Sequence, residues 1–149
     1  MSEVTGSRER RLPRLSRLSP RATYSALVLD DDEENLAFLS MALSSFVPGF
    51  EVATARNLNA ATQWMETFVP DLVIVDAKFV RGDGREFAAG LRRDPRTRLS
   101  KVLVMLDRVT AQSDLDPQLT WIEAALSKPL GLQQLLASVR ELLEVQTGH

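Results

Sequence analysis

The sequence predicts an α/β domain in which a parallel sheet is flanked by helices. Short runs of continuous apolar residues are typical of strands that are buried on both faces. Segments with apolar residues at helical spacing separate these runs. The apolar runs are residues 26–29, 72–75, 102–106 and the weaker 124–126, and residues 50–53 are a fifth, more polar candidate. Their alternation with helical segments predicts five β-α units, and the strands of such a sheet end at one shared edge.

The helical segments are indicated by apolar residues three or four positions apart. Asn57 is a plausible N-cap of the second helix, and the third helix ends before Pro95. Residues 109–119 are polar and contain Pro117, so this segment is either a short fourth helix or largely a loop. The apolar positions are Leu36, Leu39, Leu43 and Phe46; Leu58, Ala61, Met65 and Phe68; Phe87 and Leu91; and Leu132, Leu135, Leu136, Val139, Leu142 and Leu143.

Composition excludes several classes of site. The chain of 149 residues is 44% hydrophobic and 26% charged, which is ordinary for one globular domain. It has no cysteine, and its one histidine is His149, so disulfides, Cys-zinc sites and histidine catalysis are excluded. The apolar runs are far shorter than the ~20 residues of a membrane span, and no apolar run follows the N-terminal arginines. We therefore expect a cytoplasmic protein without membrane insertion.

The charge is uneven along the chain. Residues 1–22 contain six arginines and two glutamates, whereas the whole chain has a net charge of −2. An Arg-Leu-x triplet repeats within residues 11–19, and a period of three fits neither a helix nor a strand. We expect a disordered basic arm at 1–22 and an acidic domain at 23–147. The arm is either a solvated tail or a contact for an acidic partner, a nucleic acid or a membrane surface; no other segment suggests nucleic-acid binding.

Charged residues follow the predicted strands. The first strand runs into Asp30 and Asp31, the third into Asp76, the fourth into Asp107 and the fifth into Lys128. Singly, each has a structural explanation, such as an acidic helix start. Together they would converge on one crevice, where like charges need a compensating cation. Oxygen-only ligands point to Mg²⁺ or Ca²⁺, and few carboxylates with open waters favour Mg²⁺. Such a site suits phosphoryl transfer, with one carboxylate as the nucleophile.

Four segments, in order and spacing, resemble response-regulator receiver domains. Residues 27–36 (LVLDDDEENL) resemble their first strand and acid pair, and residues 72–76 (LVIVD) their phosphoacceptor strand. Gly82-Asp83-Gly84 lies where the family turns into its third helix, and residues 127–130 (SKPL) match its lysine-proline motif, whose peptide is typically cis. The resemblance covers about residues 23–147. It implies a flavodoxin-like, doubly wound, five-stranded parallel sheet of order 2-1-3-4-5.

The resemblance also implies the site and its partners. Asp30, Asp31 and Asp76 would bind Mg²⁺, Asp31 more directly than Asp30, with the backbone carbonyl of Lys78 completing the metal site. Asp76 would be the phosphoacceptor, taking its phosphoryl group from a histidine kinase or phosphotransfer protein, and Lys128 would pair with that group. We expect a single-domain response regulator of a two-component phosphorelay rather than an enzyme, with at most self-catalysed phosphorylation and dephosphorylation. Its downstream protein target would bind the family's output face. That face is formed by the family's fourth helix, which would fall at residues 109–119 here, and by the fifth strand and the fifth helix.

Three positions depart from the family pattern. Asp107 stands where a Thr or Ser normally bonds the phosphoryl group, Ala125 where an aromatic residue normally switches rotamer, and Val80 replaces a usual proline. An ionised Asp107 would repel a phosphoryl dianion unless it faces away or pairs with Lys128 or Arg108. We therefore expect that Asp76 can still be phosphorylated, but that the usual coupling between the Thr or Ser and the aromatic residue does not transmit the event.

Two other functions stay open at this point. A phosphorylation-independent pseudo-receiver would act as an interaction module through its altered output face. A haloacid-dehalogenase-like phosphohydrolase would use Asp30-x-Asp32 as its motif, although the Thr or Val required after it is absent. Trp64 is predicted to lie in the core, and Trp121 belongs either to an interface or to internal packing.

Overall fold

The computed structural model describes residues 23–82, 84–107 and 122–146. Within them, one helix follows each of the first two strands and the fifth, and two helices follow the third strand. The strands are β1 (Tyr24–Leu29), β2 (Phe50–Ala55), β3 (Leu72–Asp76), β4 (Lys101–Leu106) and β5 (Ala124–Ser127). The helices are α1 (Glu33–Phe46), α2 (Leu58–Trp64), α3 (Ala77–Arg81), α4 (Gly84–Arg93) and α5 (Leu132–Gln146).

The strands form one parallel, five-stranded sheet of order β2-β1-β3-β4-β5. The predicted fold class and strand order are thus confirmed. Leu29 pairs with Val75, and Asp76 pairs with Met105, so the central strands end level with one another. The strand order reverses beside β1 and β3, and in such sheets ligands bind in the crevice beyond these carboxyl ends.

The core lies in two layers, one on each face of the sheet. Val28, Ile74 and Leu103 face one layer with Leu39 of α1 and Leu135 of α5. The neighbouring residues of the same strands face the other layer, since successive side chains of a strand point to opposite faces. That second layer includes Leu27, Val73, Val104, Ala61 of α2 and Leu91 of α4. Burial on both faces explains why the central strands have no polar alternation.

The helix caps agree with the sequence. Asp32 caps α1 by accepting from the backbone N–H groups of Glu34 and Asn35, and Asn57 caps α2 by accepting from Ala60 N–H at 2.8 Å. Among the described helices, none combines the length and apolarity that a membrane crossing requires.

Two expectations need revision. Helix α3 was not predicted: it begins directly after Asp76, whose side chain caps it, and ends at Gly82. The prediction that Trp64 lies in the core is wrong, because Trp64 is 41% exposed. It ends α2, where its indole N–H donates to the Thr54 carbonyl at 3.0 Å and its ring packs against Phe68 in a T-shaped contact. The proposed arm at 1–22, the segment 109–119 and Trp121 lie outside the described residues.

Candidate functional site

Lys128 joins two of the strand ends into one charged cluster. Its Nζ lies 2.9 Å from Asp30 Oδ2 and 2.5 Å from Asp76 Oδ2. Asp30 directly follows β1 and Asp76 ends β3, whereas Lys128 follows β5. The Lys128 N–H donates to the Leu106 carbonyl at 2.8 Å, and the Lys128–Pro129 peptide is cis. The predicted convergence of charges at this edge is therefore present for these three residues.

Asp30 is fully buried and held on both oxygens. Its Oδ1 accepts from Asp32 N–H at 3.0 Å, and its Oδ2 accepts from the Asn35 side-chain amide at 2.7 Å. Burial alone would raise the pKa of Asp30, but hydrogen bonds from Lys128, Asn35 and Asp32 outweigh it and lower the pKa below 3.8. Asp30 is therefore a carboxylate at neutral pH.

Lys128 stays an ammonium for the complementary reason. Burial alone would lower its pKa, but the hydrogen bonds to Asp76 and Asp30 and the charges of both carboxylates raise it above 10.5. Its side chain is 22% exposed, so the ammonium is partly shielded from water. A fixed positive charge therefore lies between two buried carboxylates.

Asp76 is 2% exposed, and both of its oxygens accept hydrogen bonds. Oδ1 accepts from Lys78 N–H at 2.9 Å, which is the N-cap bond of α3, while Oδ2 accepts from Lys128. The side chain is thus fixed at the floor of the crevice.

Asp31 lies at the exposed side of the cluster and pairs with a second lysine. The Lys78 ammonium donates to Asp31 Oδ1. This hydrogen bond raises the pKa of Lys78, and the charges of Asp31, Asp76 and Asp30 add to the effect. The Lys78 carbonyl oxygen belongs to the helical turn of α3 and lies 3.6 Å from the position a Cβ on Gly82 would take. Its role as a metal ligand stays a prediction.

Of the positions that depart from the family pattern, Asp107 directly follows β4 and Ala125 lies within β5. Asp107 is half-buried and lines a cavity of about 460 Å³ together with Asn35, Phe38, Lys128 and Pro129. Asp107 thus shares a cavity with the lysine of the cluster. Ala125 is half-buried on β5 and packs against the layer of the core that contains Val104.

The donor chemistry of the cluster fits Mg²⁺. Asp30, Asp31 and Asp76 supply carboxylate oxygens, the ligands that Mg²⁺ prefers. Three carboxylates face two ammonium groups, which leaves the cluster one net negative charge. In the described parts of the chain, however, no three acidic side chains converge closely enough to hold a metal. In this arrangement Lys78 pairs with Asp31, and Lys128 pairs with Asp30 and Asp76.

Two contributors were missed by sequence reasoning. Asn35 lies in the first turn of α1, five positions after Asp30, and also contacts the sulfur of Met105 at 3.2 Å. A polar residue on the core-facing side of a predicted helix was its available signal. For Lys78, only the backbone was considered, although a basic side chain two residues beyond Asp76 could have been tested against the acid pair.

A protein-family model, the response regulator receiver domain, matches residues 26–140. Among curated proteins, response regulator Rre1 of Synechocystis is 31% identical over 121 residues, covering 81% of this chain and 52% of that protein. KdpE, the KDP operon transcriptional regulatory protein of Escherichia coli, is 31% identical over 123 residues, covering 80% and 51%. The chain thus spans about half the length of these curated relatives.

Solved structures show the same fold. A response regulator from Thermotoga maritima superposes with a TM-score of 0.65 at 26% identity, covering 82% of this chain and 98% of that one. The receiver domain of the sensor histidine kinase PA1611 from Pseudomonas aeruginosa superposes with a TM-score of 0.68 at 16% identity, covering 83% and 99%. That second structure has magnesium in its active-site cleft, but at this identity it shows a shared fold alone.

Proposed function

Because the chain belongs to the response regulator receiver domain family of two-component systems, we propose that Asp76 is its phosphoacceptor and that Asp30 and Asp31 bind Mg²⁺. Receiver domains are signalling domains that interact with histidine kinases and downstream effectors. The observation that carries the proposal is the Lys128 ammonium, held between the buried carboxylates of Asp30 and Asp76. A stability role explains this arrangement poorly, because the cost of removing two charges from water largely cancels the gain from their attraction.

The proposed step is attack by an Asp76 carboxylate oxygen on the phosphorus of a phosphohistidine in the donor protein. The new O–P bond forms as the P–N bond breaks, and the histidine leaves with the electron pair, so Asp76 becomes an acyl phosphate. Lys128 neutralises charge on the incoming phosphoryl oxygens, for which its position against Asp76 Oδ2 is suitable. Mg²⁺, when bound, would neutralise the remaining phosphoryl charge.

Asp30 would act in two ways. Its bonds to Asn35 and Asp32 N–H fix the carboxylate, and the carboxylate in turn fixes Lys128. Its lowered pKa keeps it available to a metal ion at neutral pH. Asp31, which is exposed, would supply the more direct ligand.

A second function, the pseudo-receiver, is favoured by Asp107 and Ala125. Ala125 has no side-chain rotamer to switch, and Asp107 places a carboxylate where a phosphoryl group would need a donor. We therefore propose that phosphorylation of Asp76 is not read out through these two positions. Mg²⁺ binding separates the two functions, because a pseudo-receiver has no use for the metal. The phosphohydrolase alternative loses support, since the chain belongs to a signalling family and Asp32 of its motif caps α1.

Acetyl phosphate and Mg²⁺ provide the test. We expect the intact protein to gain about 80 Da, the mass of one phosphoryl group, and Asp76→Asn to gain nothing. Asp32→Asn is the matched control. It makes the same change in the acid that follows Asp31, and an Asn at this position still caps α1. The control should be labelled like the wild type. Absence of labelling in the wild type, or equal labelling of Asp76→Asn, would contradict the proposal.

A further inference from the structure

We propose that the Lys78 ammonium is a built-in competitor for Mg²⁺: it pairs with Asp31 and must leave before the metal can bind. The inference rests on the proposed function, since it concerns the same acid pair. It assigns a role to a side chain that the proposed chemistry does not use.

The backbone explains why this side chain reaches Asp31. Helix α3 starts directly after Asp76, and the Asp76 side chain caps it through Lys78 N–H. Lys78 is therefore the second residue of the helix. Side chains in a helix lean towards its N-terminus, so Lys78 is directed back towards the carboxyl edge of the sheet. There Asp31 follows β1, and the ammonium donates to its Oδ1.

The pair is strong enough to form and weak enough to break. Asp31 raises the pKa of Lys78 through the hydrogen bond, so the side chain stays charged at neutral pH. The side chains of Lys78 and Asp31 are 40% and 54% exposed, and ion pairs in such surroundings are strongly screened. A divalent cation can therefore displace the lysine. Its apparent affinity is lower than its intrinsic affinity, because only the fraction of protein in which Lys78 has left Asp31 can bind the metal.

Lys128 does not have this role. It bonds two carboxylates that are buried, and its own side chain is only 22% exposed. Removal of Lys128 would leave Asp30 and Asp76 without their shared cation. Lys78, by contrast, pairs with Asp31, which is the exposed one of the three carboxylates in the cluster. The metal thus gains a ligand when Lys78 leaves, whereas Lys128 keeps the buried part of the cluster assembled.

The test is a Mg²⁺ titration by isothermal calorimetry, with the metal alone as the probe. We expect Lys78→Gln to bind Mg²⁺ about three- to tenfold more tightly than the wild type, from the loss of a screened ion pair and of one nearby positive charge. Lys101→Gln is the matched control: it makes the same charge change at the start of β4, at the opposite edge of the sheet. Its Kd should stay within about twofold of the wild type, since charges beyond a Debye length are screened. Lys78→Arg keeps the charge and should also bind like the wild type or more weakly.

The outcomes separate this inference from the proposed function. Mg²⁺ binding by Lys78→Gln that is equal to or weaker than that of the wild type overturns the competitor role. If Asp31→Asn abolishes Mg²⁺ binding in that case, the proposed metal site still stands. If neither the wild type nor Lys78→Gln binds Mg²⁺, both proposals fail. Binding that appears only in Lys78→Gln supports both. An equal gain in Lys101→Gln would reduce the effect to net charge and would also overturn the competitor role.

Discussion

The two edges of the sheet both bury polar side chains, but they do so differently. At the amino edge, side chains bond backbone groups: Ser100 Oγ donates to the Pro70 carbonyl at 2.6 Å, and Asp71 accepts from Ser25 N–H at 2.9 Å. Arg92 donates to the Ser100 carbonyl at 2.5 Å and to both oxygens of Glu123. At the carboxyl edge, the Lys128 ammonium lies between two buried carboxylates, whereas the Arg92–Glu123 pair of the amino edge is about a quarter exposed and also bonds backbone groups.

The difference separates structural from functional polar groups. Bonds from side chain to backbone satisfy groups that would otherwise be buried without partners, so the amino edge stabilises the connections between elements. Mutual pairing of buried charges contributes little net stability and leaves each charge dependent on its partner. Under the proposed function, the carboxyl edge holds its charges for phosphoryl transfer, whereas the amino edge has a structural role alone.

The largest effect is expected from Lys128→Gln. Loss of the shared ammonium leaves Asp30 and Asp76 buried without their cation, and we expect the free energy of unfolding to fall by about 3 kcal/mol. Urea unfolding at neutral pH measures it, with Lys101→Gln as the control, expected within about 0.5 kcal/mol of the wild type. Labelling by acetyl phosphate should fall as well. A Lys128→Gln protein as stable as the control would mean that the cluster does not depend on this pairing.

A smaller effect is expected at the amino edge. Arg92→Ala removes bonds to two backbone carbonyls and to Glu123, which should lower the free energy of unfolding by about 1–2 kcal/mol. Acetyl phosphate labelling at a temperature where the variant is folded should not change. Arg93→Ala is the control from the same helix, because its contact with Glu86 is exposed and 3.6 Å long. Altered labelling in Arg92→Ala would show that the edges are not separable.

The smallest effect on the free energy of unfolding near neutral pH is expected from a change of pH in metal-free buffer. Larger effects are expected at low and at high pH. The pKa of Asp30 is lowered in the folded protein, so its stabilisation is present above 3.8 and is lost as pH falls through the folded pKa. The pKa of Lys128 is raised, so its stabilisation is present below 10.5 and is lost as pH rises through the folded pKa. Urea unfolding over a pH series should show both limbs, and Asp30→Asn should flatten the acid limb. An acid limb unchanged in Asp30→Asn would contradict the assignment.

Much of the fold could be predicted because burial leaves a direct trace in the sequence. Apolar runs marked four of the strands and a more polar segment marked β2, and the structure extends each by only one or two residues. Helix α3 left no such trace, because it is a five-residue helix fixed by the cap from Asp76 rather than by apolar spacing. Trp64 was assigned to the core from its neighbours, but it is the last residue of α2 and its side chain is exposed.

The site was predictable where topology alone decides, and not where local geometry decides. Asp30, Asp76 and Lys128 follow parallel strands, so any such sheet brings them to one edge. The side-chain contacts of Asn35 and Lys78 depend on where α1 and α3 begin, which spacing fixes only to within a few residues. The orientation of Asp107 was left open, and the structure places it on the cavity shared with Lys128.

The most direct test of the central claim is a crystal structure with Mg²⁺ and beryllofluoride, a mimic of the phosphoryl group. We predict that beryllofluoride is attached to an Asp76 oxygen and contacts Lys128, with Mg²⁺ bound by Asp30 and Asp31 beside it. Beryllofluoride absent from Asp76 under saturating conditions, or a metal held away from the acid pair, would contradict the account.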